Sequence, residues 1–200
     1  MLEIGAGSGS YPQNTLYPLG RVDGTDLDPK VTQNPNLVRS WICDFYDLSE
    51  IRPHRYDLIY SHMVAEHVND PISFIQEQLM LLAPGGVIVH STLSKWSPPA
   101  IANRILPRRV AKAVLKGLRS KRESDQVFPA KYRMNSKGTL GQLGLTLDLS
   151  IQAIFVSQPI GYFKFSRKLL GLASIFMVPL EKAVPQLRSQ LVLVIRRDGV

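Results

Sequence analysis

The chain has 200 residues, of which 44% are hydrophobic, and this is the size and composition of one globular domain. Its single cysteine, Cys43, excludes an internal disulfide and a cysteine-rich metal site, and no run of apolar residues is long enough to predict a transmembrane helix. The net charge of +8 is uneven, since residues 1–97 carry 6 Lys/Arg and 11 Asp/Glu whereas residues 98–200 carry 18 and 5. This asymmetry predicts two parts with different tasks, the second facing something anionic.

Short apolar runs separated by polar turns predict a series of strands along the chain. These strands are Leu2–Ala6, Arg21–Asp26, Leu37–Cys43, Tyr56–Ser61, Val87–Thr92, Ile151–Ser157 and Gln190–Arg196. Pro71–Leu82 has the apolar spacing of a helix, Asp70 suits its N-cap, and Pro84-Gly85-Gly86 is expected to end it. Strands alternating with helices predict a parallel sheet, in which ligands bind at the carboxyl ends of the strands.

The first predicted strand runs into the glycine-rich segment Glu3-Ile4-Gly5-Ala6-Gly7-Ser8-Gly9. Glycine allows close approach of the backbone to a ligand because it has no Cβ. The spacing is G-x-G-x-G, and Ser10 stands where the dinucleotide fingerprint has its third glycine. The loop therefore fits a nucleoside with an amino-acid tail better than a pyrophosphate, and a tight turn without a ligand is the alternative.

Acidic residues follow the second and third predicted strands. Asp26 is placed to accept hydrogen bonds from both hydroxyl groups of a ribose. Asp44 is placed to accept from an adenine amino group, while Leu27 and Phe45 offer apolar faces to the ring. The alternatives are that Asp26 or Asp28 caps the next helix and that Asp44 stabilises a loop turn.

The fourth predicted strand ends at Ser61 and His62, which we expect to face the reactive end of a bound nucleoside ligand. His67 follows in a Glu-His-Val run. The two histidines are not at the i, i+4 spacing of a helical zinc pair, so no metal is expected. His62 and His67 are candidate general bases, with a packing role as the alternative for His67.

Together these segments resemble the class I S-adenosylmethionine-dependent methyltransferases, in the methyltransferase type 11 branch that includes ubiquinone-type enzymes acting on small molecules. The five motifs of that family are matched in order by LEIGAGSGS, GTDLDP, CDFYDL, YDLIYSHMVAEHV and LLAPGGVIVHST, over about residues 2–92. The resemblance implies an α/β fold with a Rossmann-like doubly wound, mostly parallel seven-stranded sheet whose last strand is antiparallel. Ile151–Ser157 and Gln190–Arg196 would be the antiparallel sixth and seventh strands.

The resemblance also implies one methyltransferase domain over residues 1–200. Residues 1–97 would form its cofactor-binding half, residues 98–137 a basic helical insertion for substrate or lid, and residues 138–200 the C-terminal strands and helix.

The same resemblance implies S-adenosylmethionine as the cofactor and assigns residues to it. Glu3 would anchor the glycine loop or the methionine ammonium group. The other predicted cofactor-binding residues are Gly5, Ala6, Gly7, Gly9, Asp26, Leu27, Asp44, Phe45 and Ser61. Methyl transfer from a sulfonium is a displacement on an already activated carbon, so it needs no obligatory catalytic residue, and His62 and His67 stay candidates.

The start of the chain departs from the family pattern. Relatives normally have a helix of several turns before the first strand, whereas here that strand starts at Leu2. We expect a misassigned start codon, because Met1 stands where relatives commonly have valine. Intact-mass measurement of the native protein tests this expectation, and a native N-terminus at Met1 would contradict it.

The back half contains a basic segment over residues 101–122. Four basic residues at a spacing of four would lie on one face of a helix, beside an apolar face. These basic residues are Arg104, Arg108, Lys112 and Lys116. This pattern predicts either contact with an anionic membrane surface or a solvated face over a core. His62, Tyr132 and Arg133 are candidate substrate residues. Arg133 could pair with a phosphate or carboxylate, and packing explains Tyr132 equally well. A further apolar helix is predicted around Arg167–Ala183.

The leading interpretation is methyl transfer to a small-molecule or lipid- or glycan-linked acceptor. We expect a cytoplasmic protein, with peripheral membrane contact as one interpretation of the basic segment. A nucleic-acid acceptor is less favoured, because no Asn/Asp-Pro-Pro-Tyr/Phe follows the fourth strand and no Pro-Cys dipeptide occurs. The basic back half keeps an RNA methyltransferase as one alternative. A catalytically silent module that binds a membrane or partner is the other.

Overall fold

The computed structural model describes residues 1–9, 20–97, 100–101, 130–157, 175 and 178–197. Its strands are β1 (Leu2–Ile4), β2 (Asp23–Asp26), β3 (Arg39–Ile42), β4 (Tyr56–His62), β5 (Leu82–Leu93), β6 (Leu149–Val156) and β7 (Gln190–Arg197). Its main helices are α1 (Pro71–Leu81) and α2 (Lys137–Leu147), with short 3₁₀ segments at Pro29–Gln33, Ser49–Ile51 and Pro185–Leu187. The strands form one seven-stranded sheet in the order β3-β2-β1-β4-β5-β7-β6.

The direction of the strands confirms the predicted fold class. Strands β1 to β5 pair in parallel, and β7 runs antiparallel to both β5 and β6. The chain passes from β1 outward to β2 and β3, then returns to β4 on the other side of β1. The carboxyl ends of β1 and β4 therefore flank the point where strand order reverses, which is where open α/β sheets bind ligands.

The boundary between α1 and β5 differs from the prediction. Asp70 caps α1 as expected, since its side chain accepts hydrogen bonds from the amides of Ile72 and Ser73. However, β5 begins directly after the helix, at Leu82, and the predicted stop at 84–86 lies inside the strand. The register shifts there, because Tyr56 lies opposite Leu82 and Leu58 opposite Val87. The residues between Leu82 and Val87 thus bulge from the strand, with Gly85 at φ 74°.

The hydrophobic core joins the front and back halves of the chain. Its buried side chains come from the central strands, from α1, from β7 and from residues 134–149, and they include Leu2, Ile4, Ile59, Ile88, Phe74, Ile75, Leu191, Leu193, Ile195, Met134, Leu140 and Leu143. Residues from both sides of position 97 therefore pack into one core beside one sheet.

Some predicted features lie outside the described residues. These include the basic face at 104–116 and most of the apolar segment 167–183, of which residues 178–183 are helical. Among the helices that are described, none has the length and apolarity needed to cross a bilayer.

Candidate functional site

The glycine loop leaves the carboxyl end of β1 and folds against β2. The amides of Gly5 and Ala6 both donate to the carbonyl of Thr25, at 2.7 and 3.1 Å. Gly5, Gly7 and Gly9 have φ angles of 75°, 52° and 75°, in the left-handed region that disfavours side chains. The sequence therefore folds into a tight loop at the edge of the sheet where ligands are expected to bind.

The three glycines differ in what surrounds them. A Cβ on Gly5 would lie 2.4 Å from Cγ2 of Val64, and one on Gly9 would lie 2.4 Å from Oδ1 of Asn34, so packing fills both positions. A Cβ on Gly7 would meet no other part of the described chain within 4 Å. Among the described residues, the space beside the middle glycine of the loop is therefore open.

Asp26 lies at the end of β2 and contacts the loop directly. Its Oδ2 accepts from the amide of Gly7 at 2.9 Å, and its Oδ1 accepts from the amide of Asp28 at 2.9 Å. Each carboxylate oxygen can accept more than one hydrogen bond, so capacity remains for ribose hydroxyls. Asp28 instead caps the Pro29–Gln33 segment, accepting from the amide of Lys30, which confirms the capping alternative for that residue. Leu27, between the two acids, is 44% exposed.

Asp44 lies at the end of β3, next to Asp26. The amide of Cys43 donates to the carbonyl of Asp26 at 3.2 Å, which brings the two strand ends together. Oδ1 of Asp44 accepts from the amide of Tyr46 at 3.0 Å, so Asp44 does form the turn considered as an alternative. Within the described residues its Oδ2 has no partner and is available to a ligand. Phe45 is partly buried and packs edge-on against Phe74 at 5.2 Å.

The end of β4 places its residues in different environments. Ser61 is buried, and its hydroxyl lies 2.8 Å from Nδ1 of His90. The hydroxyl is thus engaged in the core, and the contact of Ser61 with the cofactor stays a prediction. His62 is half-buried, and burial lowers its pKa, which favours the neutral form that a base requires. Glu3, on the neighbouring β1, accepts from the Tyr60 hydroxyl at 3.2 Å.

A buried polar network lies at the carboxyl ends of β4 and β5. The carbonyl of Glu66 accepts from the amides of Lys131 and Tyr132, at 2.6 and 3.0 Å. Its side chain accepts from the Thr92 hydroxyl at 2.6 Å, and the Asn135 amide group donates to that hydroxyl at 2.8 Å. Burial raises the pKa of Glu66, although the hydrogen bond from Thr92 acts in the opposite direction. This network holds residues 130–135 across the carboxyl ends of the two strands.

Two of the candidate substrate residues, Tyr132 and Arg133, lie on that segment, whereas His62 ends β4. Tyr132 is 5% exposed and has a φ of 52°, so its side chain packs in the interior. Arg133 is exposed, as is Lys131 before it. His67 is half-buried in the turn after β4, where its amide donates to the carbonyl of Val64. Their roles toward an acceptor stay predictions.

Several residues that shape the site were not found by sequence reasoning. They are Asn34, Tyr60, Glu66, Thr92 and Asn135, each of which bonds to an element distant in sequence. The Asn-Pro-Asn run at 34–36 is a turn signal that would have drawn attention to Asn34. Across the described residues, no group of three or more His, Cys, Asp or Glu side chains is arranged to hold a metal ion.

A glycine loop after β1, an acid at the end of β2 and a reversed seventh strand together define the class I methyltransferase fold. Residues 2–90 match the family model described as a methyltransferase domain. Among curated relatives, a ubiquinone biosynthesis O-methyltransferase of Nitrosospira multiformis is 27% identical over 103 residues, 48% of this chain and 43% of that protein. The same enzyme of Xanthomonas campestris is 31% identical over 110 residues, covering 51% and 46%. The match thus spans less than half the length of these relatives.

Solved structures extend the likeness over the whole chain. The plantazolicin methyltransferase BamL, in complex with a triazolic desmethylPZN analog and SAH, has a TM-score of 0.60 at 17% identity, covering 99% of this chain and 76% of that one. The DhpI–SAH complex has a TM-score of 0.53 at 15% identity, covering 100% and 76%. At this identity the likeness establishes the fold. Together with the match to the family model, this likeness confirms the resemblance to class I methyltransferases that the sequence predicts.

Proposed function

We propose that the chain is an S-adenosylmethionine-dependent methyltransferase acting on a small-molecule acceptor. The observation that carries this proposal is the hydrogen bond between Asp26 and the amide of Gly7, beside open space at the loop. This contact lies where the strand order of the sheet reverses. The family match over residues 2–90 and the similarity to ubiquinone biosynthesis O-methyltransferases support the same activity.

In this proposal, the residues at the strand ends bind different parts of the cofactor. Asp26 accepts from the ribose hydroxyls, and the loop with Glu3 receives the methionine portion. Asp44 accepts from the adenine amino group through its available Oδ2, with Leu27 and Phe45 against the ring. The bound cofactor supplies an activated methyl group. The protein would align the acceptor with that methyl, and half-buried His62, whose pKa is lowered by burial, would take a proton from an acceptor hydroxyl.

For the acceptor we propose a lipid- or glycan-linked molecule that carries an anionic group. The Glu66 network places exposed Lys131 and Arg133 beside the ends of β4 and β5. Lys95, just after β5, is held at the same edge because its amide donates to the carbonyl of Asn135 at 3.1 Å. An arginine there can bind a phosphate or carboxylate in bidentate geometry. The basic residues beyond position 97 favour the same type of acceptor.

Titration calorimetry with S-adenosylhomocysteine tests the cofactor proposal. We expect saturable binding to the wild-type chain, and Asp26→Asn should weaken it by about a hundredfold, because it removes a carboxylate that accepts from both loop and ribose. Asp57→Asn is the matched control, since Asp57 is an exposed acid on β4. Absence of binding at millimolar concentration would favour the catalytically silent module, and equal affinity in both variants would contradict the role of Asp26.

Transfer of a labelled methyl group tests the acceptor proposal. The chain is incubated with labelled S-adenosylmethionine and, separately, with a polyprenyl-linked phosphosugar, a neutral phenol and a bulk RNA preparation. We expect labelling of the anionic lipid-linked acceptor, and Arg133→Gln should raise its KM more than it changes kcat. Labelling of RNA with strong salt dependence would instead support the RNA methyltransferase alternative.

A further inference from the structure

Asn34 is a buried residue whose side chain forms hydrogen bonds with the glycine loop. It follows the 3₁₀ segment Pro29–Gln33 and is 5% exposed. Its Nδ2 donates to the carbonyls of Ala6 and Gly7, at 3.2 and 3.3 Å. Its Oδ1 accepts from the amide of Asn36 at 3.1 Å. The side-chain amide is therefore used on both its donor and its acceptor atoms.

These bonds combine with Asp26 to fix the middle of the loop. Asp26 accepts from the amide of Gly7, and Asn34 donates to the carbonyl of the same residue. Gly7 is thus held at both of its backbone polar groups, and it is the glycine that faces open space. Gly9 packs so closely that a Cβ there would lie 2.4 Å from Oδ1 of Asn34. Only a side chain that donates to carbonyls and accepts from an amide at this length satisfies these partners.

We propose that Asn34 is a positioning residue that sets the glycine loop in the conformation that receives the cofactor. This inference rests on the proposed function, because the ligand of the loop is taken from it. Asn34 does not need to touch the cofactor. Its side-chain amide holds the Ala6 and Gly7 carbonyls in place, beside the space that the described residues leave open at Gly7.

The test uses two substitutions at Asn34 and a neighbouring control in the full chain. Asn34→Asp keeps the shape but replaces the donor with a carboxylate facing two carbonyl oxygens, and Asn34→Ala removes the donor without adding charge. Gln33→Glu makes the same amide-to-acid change at an exposed neighbour in the same 3₁₀ segment. By calorimetry, we expect Asn34→Asp to weaken S-adenosylhomocysteine binding by about a hundredfold, Asn34→Ala by about tenfold, and Gln33→Glu by less than about twofold.

A pH series separates positioning from a general loss of structure. A carboxyl group surrounded by carbonyl oxygens has a raised pKa, and once protonated it can donate to one of them. The affinity of Asn34→Asp, relative to wild type at each pH, should therefore recover as the pH falls from about 8 to about 5. The affinity of Asn34→Ala relative to wild type should stay level over the same range.

Hydrogen exchange provides a readout that needs no ligand. In Asn34→Ala, amides of residues 2–9 should exchange faster while those of α1 keep the wild-type rate. Equal affinity of Asn34→Asp and wild type would overturn this inference and leave the proposed function standing, as would equal losses in Asn34→Asp and Gln33→Glu. Unchanged exchange in residues 2–9 would also overturn it. Failure of the wild-type chain to bind any S-adenosylhomocysteine would overturn both.

Discussion

The buried imidazole of His90 makes the stability of the fold depend on pH. His90 lies on β5 with no exposed surface, and burial lowers its pKa to about 3. Nδ1 is bonded to the Ser61 hydroxyl, whereas Nε2 has no partner among the described residues. In the imidazolium form, Nε2 would carry a buried N–H without an acceptor. The folded state therefore holds this ring neutral well below the pH at which the unfolded chain protonates it.

The sign and size of the effect follow from the two pKa values. Between the folded value of about 3 and the unfolded value of 6.5, the unfolded chain binds more protons, so stability falls as pH decreases through this window. For this one group, the loss of unfolding free energy from about pH 7.5 to about pH 5 is about 2 kcal/mol. The lowered pKa of His62 acts in the same direction, and the raised pKa of Glu66 acts in the opposite one.

A double variant isolates the contribution of His90. Ser61→Ala/His90→Leu removes both partners of the buried hydrogen bond and fills the site beside Phe74 with an apolar side chain, so it should be folded at neutral pH. Urea denaturation at several pH values should show that wild type loses about 2 kcal/mol more than the double variant between about pH 7.5 and about pH 5. Parallel pH profiles for the two proteins would refute the assignment of this pH dependence to His90.

Three further substitutions test the packing of the site. Gly7→Ala should lower the unfolding free energy measured by urea denaturation by about 1 kcal/mol, because φ is 52° at this position. It should also weaken S-adenosylhomocysteine binding by more than about tenfold, because the added methyl group would fill the space of the ligand. Full affinity would show that no ligand occupies that space. Thr92→Val should lower the unfolding free energy by about 3 kcal/mol, since it leaves Glu66 and Asn135 without their shared partner. A loss below about 1 kcal/mol, which is the contribution of a single exposed hydrogen bond, would contradict a buried network. Leu27→Asp should change the unfolding free energy by no more than about 0.5 kcal/mol but reduce cofactor affinity about tenfold. An unchanged affinity by calorimetry would contradict contact between Leu27 and the adenine ring.

The fold was predictable where local pattern and tertiary structure agree. Apolar runs bounded by turn residues identified all seven strands, and Asp70 before Pro71 identified the start of α1. The predicted start of β5 was wrong because residues 84–86 have the local pattern of a turn that separates a helix from a strand. Pairing of Leu82 with Tyr56 on the neighbouring strand overrides that signature, and the extra residues are absorbed as a bulge. Strand pairing is a tertiary interaction, so the pattern of the segment itself does not contain it.

The candidate site shows the same division. The approach of Asp26 to the glycine loop was predictable, because both follow neighbouring parallel strands and the carboxyl ends of such strands share one edge. Asn34 was not predictable by that rule, since it follows a 3₁₀ segment and does not lie at a strand end. Glu66 and Asn135 were missed for a different reason. They meet through the Thr92 hydroxyl, across 26 and 43 residues of sequence, and a threonine at the end of an apolar strand has the same local pattern whether or not it forms such bonds.

The two edges of the site are held by hydrogen bonds among different residues. The cofactor edge is held by bonds among the glycine loop, Asp26 and Asn34, all within the part of the chain that matches the family model. The edge where we propose that the acceptor binds depends on Asn135, which lies beyond that part and reaches back to the end of β5 through Thr92 and the carbonyl of Leu93. Changes in the chain after β5 would alter that edge without removing the bonds that shape the cofactor edge. Under the proposed function, a chain that is similar to ubiquinone biosynthesis O-methyltransferases over its front half would thus act on a different, anionic acceptor.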